Sequence, residues 1–365
     1  MLARRLRPSL AAALLGACLA LAACAPSAAT GAPSATPRPP VIRSAASPVA
    51  PRPPFCFSFV CAVHSVSLFV EPDAGEAPIL SAIRGATSSV WVEVYLLSDR
   101  NVVRALEDAA SRGVDVRVLL EPHPYGGGDV AAQTTVRELQ AAGVQARPSN
   151  PAFQYTHAKL LLVDGATAYI LTANLSRAGL GGNSTTANRD YGLIDRDSAD
   201  VAAVKAIFQA DWDRTPATLT DAHLVVSPIN ARPTLAALLD GAHTALWVED
   251  EEMADSSSEQ ELIAAAQRGV DVRLMLPAPS SSSSPSPDVA RLAAGRVHVR
   301  YLRAPYMHAK LVLADGTLAF TGSENFSATS LDANRELGLL LADPAALATL
   351  THVYTQDWSL ATPAA

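Results

Sequence analysis

Two eight-residue segments of the sequence are near copies of each other, and each places the same ionisable residues on an apolar stretch. They lie at 157–164 (HAKLLLVD) and 308–315 (HAKLVLAD), and both read His-x-Lys-x4-Asp. In a strand, residues two apart project from the same face, so each His would project beside its Lys. The doubled set predicts one site built by two halves of the chain, with an anion held between two histidines.

The residue types in this set suit the chemistry of a phosphate ester. The imidazoles of His157 and His308 can attack as nucleophiles or transfer a proton near neutral pH. Lys159 and Lys310 supply fixed positive charge for phosphate oxygens. A small polar cluster follows each motif, and its amide and hydroxyl groups are further candidates for binding phosphate. These candidates are Thr172, Asn174, Ser323 and Asn325.

Carboxylates accompany both copies of the motif. Matched Asn-Arg-Asp and Asn-Arg-Glu tripeptides end at Asp190 and Glu336. A carboxylate on the second ring nitrogen of a histidine fixes its tautomer, so we expect Asp190 to bond His157 and Glu336 to bond His308. The motif acids themselves stand in Asp-Gly turn signals, which predicts a supporting role. These motif acids are Asp164 and Asp315.

The doubled pattern resembles the phospholipase D superfamily, whose mark is a repeated His-x-Lys-x4-Asp-x6-Gly-[Ser/Thr]-x-Asn. The second copy matches at every position, whereas the first has Leu171 in place of the Gly. The resemblance runs from about Val66 to the C-terminus. It implies an α/β fold of two sandwich halves related by a pseudo-twofold axis, with the active site at their seam.

The resemblance also implies a mechanism. One histidine attacks phosphorus to form a phosphohistidine, and the other protonates the leaving alcohol; by analogy His157 is the nucleophile and His308 the acid. The two Lys and two Asn side chains would hold the non-bridging oxygens. No metal or other cofactor is expected, because the lysines supply the positive charge.

The body of the chain is duplicated beyond the motifs. The segment SVWVE at 89–93 corresponds to ALWVE at 245–249, and RGVDVR at 112–117 recurs at 268–273. We therefore divide the body into halves at 55–217 and 218–365. Alternating apolar strands and amphipathic helices predict an α/β sandwich in each. One helix is predicted to open at Ser258-x-x-Glu261, a capping-box pattern.

Composition narrows the class of protein. The chain has 365 residues, of which 49% are hydrophobic, and this predicts a well-filled globular body. Its formal net charge is −7, so it lacks the broad basic field that non-specific nucleic-acid binding uses. Nucleic acid is therefore a disfavoured partner, although a local basic groove on an acidic protein stays open. We expect a monomer.

The N-terminus has the pattern of a bacterial lipoprotein signal. Arginines precede an apolar run, and Leu-Ala-Ala-Cys at 21–24 resembles a lipobox, which predicts a signal peptide at 1–23 and lipidation of Cys24. The alternative is an ordinary secretory signal. Residues 24–54 are rich in Pro, Ala and Ser and are predicted to be an extended linker. Outside the cytoplasm, Cys56 and Cys61 favour a disulfide over two buried thiols.

These observations favour a phosphodiesterase of the phospholipase D type, anchored to a membrane outside a bacterial cytoplasm. The expected reaction is hydrolysis or transphosphatidylation of glycerophospholipids. Two alternatives stay open: a metal-independent endonuclease using the same chemistry, and a non-catalytic lipid-binding protein with a lapsed site.

Overall fold

The computed structural model describes residues 62–125, 129–182, 187–279 and 286–364. The expected signal, the linker and the lipidation and disulfide cysteines (Cys24, Cys56 and Cys61) lie outside this part of the chain. Within the described ranges no helix combines the length and apolar character needed to cross a bilayer.

The first half forms a mixed sheet with helices packed against it. Its strands are β1 (Val66–Glu71), β2 (Ser89–Val94), β3 (Asp115–Leu120), β4 (Gln145–Pro148), β5 (Lys159–Val163), β6 (Thr167–Leu171) and β7 (Asn188–Asp195). Its helices are α1 (Ala77–Gly85), α2 (Arg100–Ser111), α3 (Asp129–Ala141) and α4 (Ser198–Asp213). The strand order is β1-β7-β6-β5-β2-β3-β4. The motif strand β5 lies in the middle, which is why its apolar residues are buried on both faces.

The second half repeats this plan. Its strands are β8 (Leu224–Ser227), β9 (Ala245–Glu249), β10 (Asp271–Pro277), β11 (His298–Leu302), β12 (Tyr306–Met307), β13 (Leu311–Ala314), β14 (Leu318–Gly322), β15 (Glu336–Leu341) and β16 (Thr362–Pro363). Its helices are α5 (Ala231–Asp240), α6 (Ser256–Gln267), α7 (Pro287–Ala294), α8 (Ala328–Asp332) and α9 (Pro344–Leu360). The order β8-β15-β14-β13-β9-β10-β11-β16 matches the first sheet strand for strand, with β16 added at the edge.

The two halves also exchange backbone pairing at the motif segments. Strand β12, just before the second motif, pairs in parallel with β7 of the first half. In the mirrored arrangement, Thr156 forms a parallel bridge with Arg335 of the second half. Each motif histidine is thereby brought beside the tripeptide strand of the opposite half.

An apolar core fills the seam between the halves. It draws residues from both sheets and from the last helix of each half. In the first half Phe208 of α4 stacks on Trp91 with ring centroids 5.1 Å apart, and in the second Tyr354 of α9 stacks on Trp247 at 5.2 Å. Such aromatic pairs add to the burial energy that holds the seam.

Helices α2 and α6, which are equivalent in the two halves, are both capped by an aspartate, and this differs from the capping box predicted for α6. Asp99 caps α2 by accepting bonds from the backbone of Asn101 and Val102. Its counterpart Asp255 caps α6 through the backbone N–H of Ser258, so Ser258 lies inside the first turn. The predicted capping box was therefore wrong: the preceding aspartate has a short carboxylate that already satisfies the free N–H groups.

Candidate active site

Both motif histidines line a single pocket of about 680 Å³ at the seam. Asn174 and Asn325 line the same pocket, and for both the amide oxygen is buried with no hydrogen-bond partner among the described residues. The two histidines and two asparagines expected at the anion site are thus brought together from both halves, whereas Lys159 and Lys310 are fully buried and are not among the lining residues. Buried amides without partners are usually completed by a ligand or solvent.

The carboxylates pair with the histidines across the seam. Nδ1 of His157 lies 2.9 Å from Glu336, and Nδ1 of His308 lies 2.8 Å from Asp190. The expected pairing within each half is therefore wrong, and the two acids have exchanged partners. In each case the bond engages Nδ1, which leaves Nε2 as the nitrogen for chemistry.

Strand pairing explains the exchange. The backbone N–H of His157 donates to the carbonyl of Arg335 at 2.9 Å, and that of His308 to the carbonyl of Arg189 at 3.3 Å. Each acid directly follows one of these arginines in its strand. The acid therefore meets the histidine of the opposite half, and sequence distance within one half has no bearing on the contact.

Thr172 and Ser323 do not reach the pocket. Both are fully buried. The Thr172 hydroxyl donates to Asp190 at 2.5 Å, and that of Ser323 accepts from the backbone N–H of Leu337 at 3.0 Å. The expectation of direct phosphate contact is corrected for both hydroxyls, because their bonding capacity is used behind the site. Thr172 instead holds the acid that orients His308.

Glu336 is held in a corresponding way by groups of its own half. Ser330 donates to it at 2.7 Å and Asn334 at 2.9 Å. Burial alone would raise the pKa of Glu336, but the neighbouring His157 and Lys159 outweigh burial and lower it. Glu336 is therefore an ionised, fixed acceptor for His157.

The two lysines are fully buried but differ in charge environment. Burial lowers the pKa of Lys159 to about 7, with Lys310 adding to the effect. Lys310 is equally buried, and burial alone would lower its pKa. The pKa is nevertheless raised, because Glu251 and Asp190 lie close to it. The pseudo-symmetric pair thus combines one readily deprotonated amine with one firmly charged ammonium.

The motif acids Asp164 and Asp315 lie at the far end of the motif strands, away from the pocket. Asp164 accepts bonds from the backbone N–H groups of residues 87–89, and Asp315 from those of residues 243–245. Burial opposes ionisation, but these bonds lower the pKa of Asp315 to about 2. Both acids anchor the loop that enters the neighbouring strand, β2 or β9.

The arginines of the tripeptides also form ion pairs across the seam. Arg335 pairs with Asp211 of α4 at 2.7 Å, and Arg189 pairs with Asp357 of α9 at 2.5 Å. These aspartates stand at equivalent positions of the repeat, in FQADW at 208–212 and YTQDW at 354–358. The structure shows that they hold the strands from which the two orienting acids project.

Sequence reasoning missed the pocket carboxylate that lies closest to the second His-Lys pair. Glu251 lies 3.0 Å from Nζ of Lys310 and 3.5 Å from Nε2 of His308. It stands four residues after Trp247, where the first half has Tyr95 four residues after Trp91. Continuing the repeat alignment past the strand end would have revealed this exchange of an aromatic phenol for a carboxylate.

A possible metal-binding group lies elsewhere. In the described part of the chain, Asp200, Asp221 and His223 bring potential ligand atoms within 4.8 Å of one another. None of the three lines the pocket. His223 bonds Asp200 at 2.8 Å, so an ordinary hydrogen-bonded pair accounts for their approach.

Comparison with known proteins agrees with the fold. The chain is 26% identical over 346 residues to cardiolipin synthase A of Pseudomonas fluorescens, covering 82% of this chain and 69% of that protein. Among solved structures it resembles phosphatidylserine synthase of Haemophilus influenzae, with a TM-score of 0.62, 12% identity and coverage of 83% and 88%. Polyphosphate kinase of Porphyromonas gingivalis also gives a TM-score of 0.62, with 18% identity and coverage of 80% and 50%.

The family assignment rests on a match in both halves. The model described as "Cardiolipin synthase, PLD-like domain" matches residues 79–212 and again residues 235–358, which together make up most of the chain. Each matched region contains one motif. The chain belongs to the phospholipase D-like family, and it is an enzyme that acts on phosphodiester bonds.

Proposed function

We propose that this enzyme cleaves glycerophospholipids at the head-group side and passes the phosphatidyl group to water or to an alcohol. The observation behind the proposal is the pocket with two histidines, each bonded at Nδ1 by a carboxylate of the opposite half. This arrangement keeps two Nε2 atoms available for a two-step displacement at one phosphorus.

In the first step Nε2 of His157 attacks phosphorus, and the bond to the leaving alcohol breaks as His308 donates its proton to that oxygen. Burial lowers the pKa of His157, which favours the neutral, nucleophilic ring. Lys159, Lys310 and the two pocket asparagines stabilise the charge on the non-bridging oxygens.

In the second step His308 takes a proton from water or an acceptor alcohol, whose oxygen attacks phosphorus. The bond between phosphorus and His157 breaks, and both rings return to their starting states. Two easier displacements replace one difficult one. The choice of acceptor decides whether the enzyme acts as a hydrolase or as a transferase.

Three kinds of observation support a lipid substrate. The relative with 26% identity is named a cardiolipin synthase, and a protein of similar fold is named a phosphatidylserine synthase. The net charge of −7 opposes long-range attraction of a polyanion such as DNA. The lipobox-like segment and the linker that follows support a location on the outer side of a bacterial membrane, where phospholipid is abundant.

In the test, the purified full-length protein is assayed in parallel with three substrates in the presence of EDTA. These are phosphatidylcholine and phosphatidylglycerol, each in mixed micelles, and single-stranded DNA. We expect turnover of at least one phospholipid, with phosphatidyl-alcohol formed when a short primary alcohol is added. His157→Ala and His308→Ala should each lower the rate by several orders of magnitude, because the two rings act as a unit. Cleavage of DNA with no phospholipid turnover would replace the lipid proposal with the nuclease.

A further inference from the structure

Glu251 places a carboxylate in the part of the pocket where the substrate anion is expected. Its oxygens lie 3.0 Å from Nζ of Lys310, 3.5 Å from Nε2 of His308 and 3.4 Å from the hydroxyl of Tyr306. Its side chain keeps 27% of its surface exposed, whereas that of Lys310 keeps 1%. The carboxylate therefore stands between the buried ammonium and the open pocket.

This carboxylate is ionised. Burial would raise its pKa, but the charges of His308 and Lys310 outweigh burial and hold the pKa of Glu251 far below its usual range. One negative charge is therefore present in the pocket beside the groups that are expected to bind the substrate. A second anion entering the pocket meets both the attraction of the lysines and the repulsion of Glu251.

The pseudo-symmetry shows that the fold does not require this charge. The equivalent position in the first half is Tyr95, whose ring packs on His157 with centroids 4.7 Å apart and lies over Lys159 at 5.5 Å. An aromatic residue thus occupies the same place beside the other His-Lys pair. The carboxylate is a feature of one side of the pocket only.

We propose that Glu251 sets the charge selectivity of the pocket, admitting singly charged phosphodiesters and disfavouring doubly charged phosphomonoesters. The inference rests on the proposed function and names the class of substrate and product that this site distinguishes. A phosphodiester bears one negative charge, whereas a phosphomonoester bears close to two at and above neutral pH. The repulsion from Glu251 is therefore about twice as large for the monoester.

The discrimination has a consequence for turnover. Hydrolysis of a phosphodiester lipid releases a phosphomonoester, which the charged Lys310 beside the pocket would otherwise help to retain. Repulsion by Glu251 weakens the hold on this product and so favours its release. Removing the charge should lead to stronger product inhibition.

The experiment measures the affinity of the full-length protein for methyl phosphate and for dimethyl phosphate at pH 8, by calorimetry or by phosphorus NMR. These probes differ by one methyl group and about one charge. We expect Glu251→Gln to raise the affinity for methyl phosphate relative to dimethyl phosphate by about tenfold or more. Glu251→Tyr, which copies Tyr95, should shift the ratio in the same direction and provides a second variant if the first does not fold.

Asp108→Asn is the control, because it removes one negative charge from an exposed residue of α2 that does not line the pocket. A ratio that Glu251→Gln and Glu251→Tyr leave unchanged, while both probes still bind, would overturn the inference and leave the proposed function standing. An equal shift with Asp108→Asn would also overturn it, because the general charge of the protein would then be the cause. Absence of binding by either probe in every protein would refute the anion pocket itself.

Discussion

The bond between Asp190 and His308 joins a side chain of the first half to the reacting ring of the second. The carboxylate is fully buried and lies 2.8 Å from Nδ1. Glu336 holds His157 in the reciprocal way. Each ring thus depends for its orientation on the opposite half, so neither half by itself holds an oriented histidine.

Asp190→Asn should therefore affect His308 rather than His157. An amide lacks the negative charge and can turn its NH2 group to donate to Nδ1, which fixes the wrong tautomer, so we expect a fall in kcat of roughly 10²- to 10⁴-fold. Nitrogen-15 NMR of the rings is the discriminating measurement, with Glu336→Gln as the matched variant for His157. A change confined to the His157 signals in Asp190→Asn would contradict the crossed arrangement.

The lowered pKa of Lys159 predicts that the protein takes up a proton when it binds an anion. Its pKa is lowered to about 7 by burial, so much of it is uncharged above neutral pH. A bound anion favours the ammonium form and raises this pKa, so binding at pH 8 should take up a proton, and affinity should fall as pH rises through 7.

Calorimetry of dimethyl phosphate binding in buffers of different ionisation enthalpy measures this uptake. Lys159→Met should abolish the part of the uptake that belongs to this lysine. Lys310 should contribute none, because its pKa is raised and it is already charged. An uptake that is the same in the wild type and in Lys159→Met would assign the proton to another group.

At the scale of elements, buried ion pairs tie the tripeptide strands to the last helix of the opposite half. Arg335, the residue before β15, donates to both carboxylate oxygens of Asp211 on α4, at 2.7 and 3.0 Å. It also donates to the carbonyl of Ser227 at 2.8 Å. Arg189 does the same with Asp357 on α9. Burial raises the pKa of Asp211, and the adjacent guanidinium opposes that shift without cancelling it.

Asp211→Asn should destabilise the protein by about 3–5 kcal/mol, because it leaves the buried Arg335 charge without its partner. The double variant Asp211→Leu with Arg335→Met should lose less free energy of unfolding than Asp211→Asn, since neither charge is then buried alone. Urea unfolding of Asp211→Asn, of the double variant and of its two component single variants, Asp211→Leu and Arg335→Met, measures these free energies of unfolding. If the double variant is as unstable as the sum of the singles, the two residues do not act as a pair.

At the scale of the whole molecule, the N-terminal segment is predicted to decide where the enzyme works. Cys24→Ser should release the protein from membranes or block its processing, because lipidation requires the thiol. Cell fractionation and the mobility of the mature form check this. A serine variant that is still cleaved and still sediments wholly with membranes would replace the lipobox with another mode of attachment.

The repeat allowed the sequence alone to indicate much of this protein. Side-chain chemistry and spacing are local properties, so the doubled His-x-Lys pattern identified His157, His308 and their lysines before any fold was known. Periodic apolar residues likewise predicted the alternation of strands and helices. The equivalence of the two sheets follows from the duplicated segments.

Tertiary structure alone decided which residues meet. Hydrogen bonds depend on distance in space, and the pairing of β12 with β7 brings Asp190 to His308 instead of to the histidine of its own half. Thr172 faces inward because it directly follows β6, whose neighbour β7 carries Asp190. Glu251 acquired its significance only when the pairing of β9 with β13 placed it beside Lys310, because the two residues belong to the same half but are 59 positions apart in the chain.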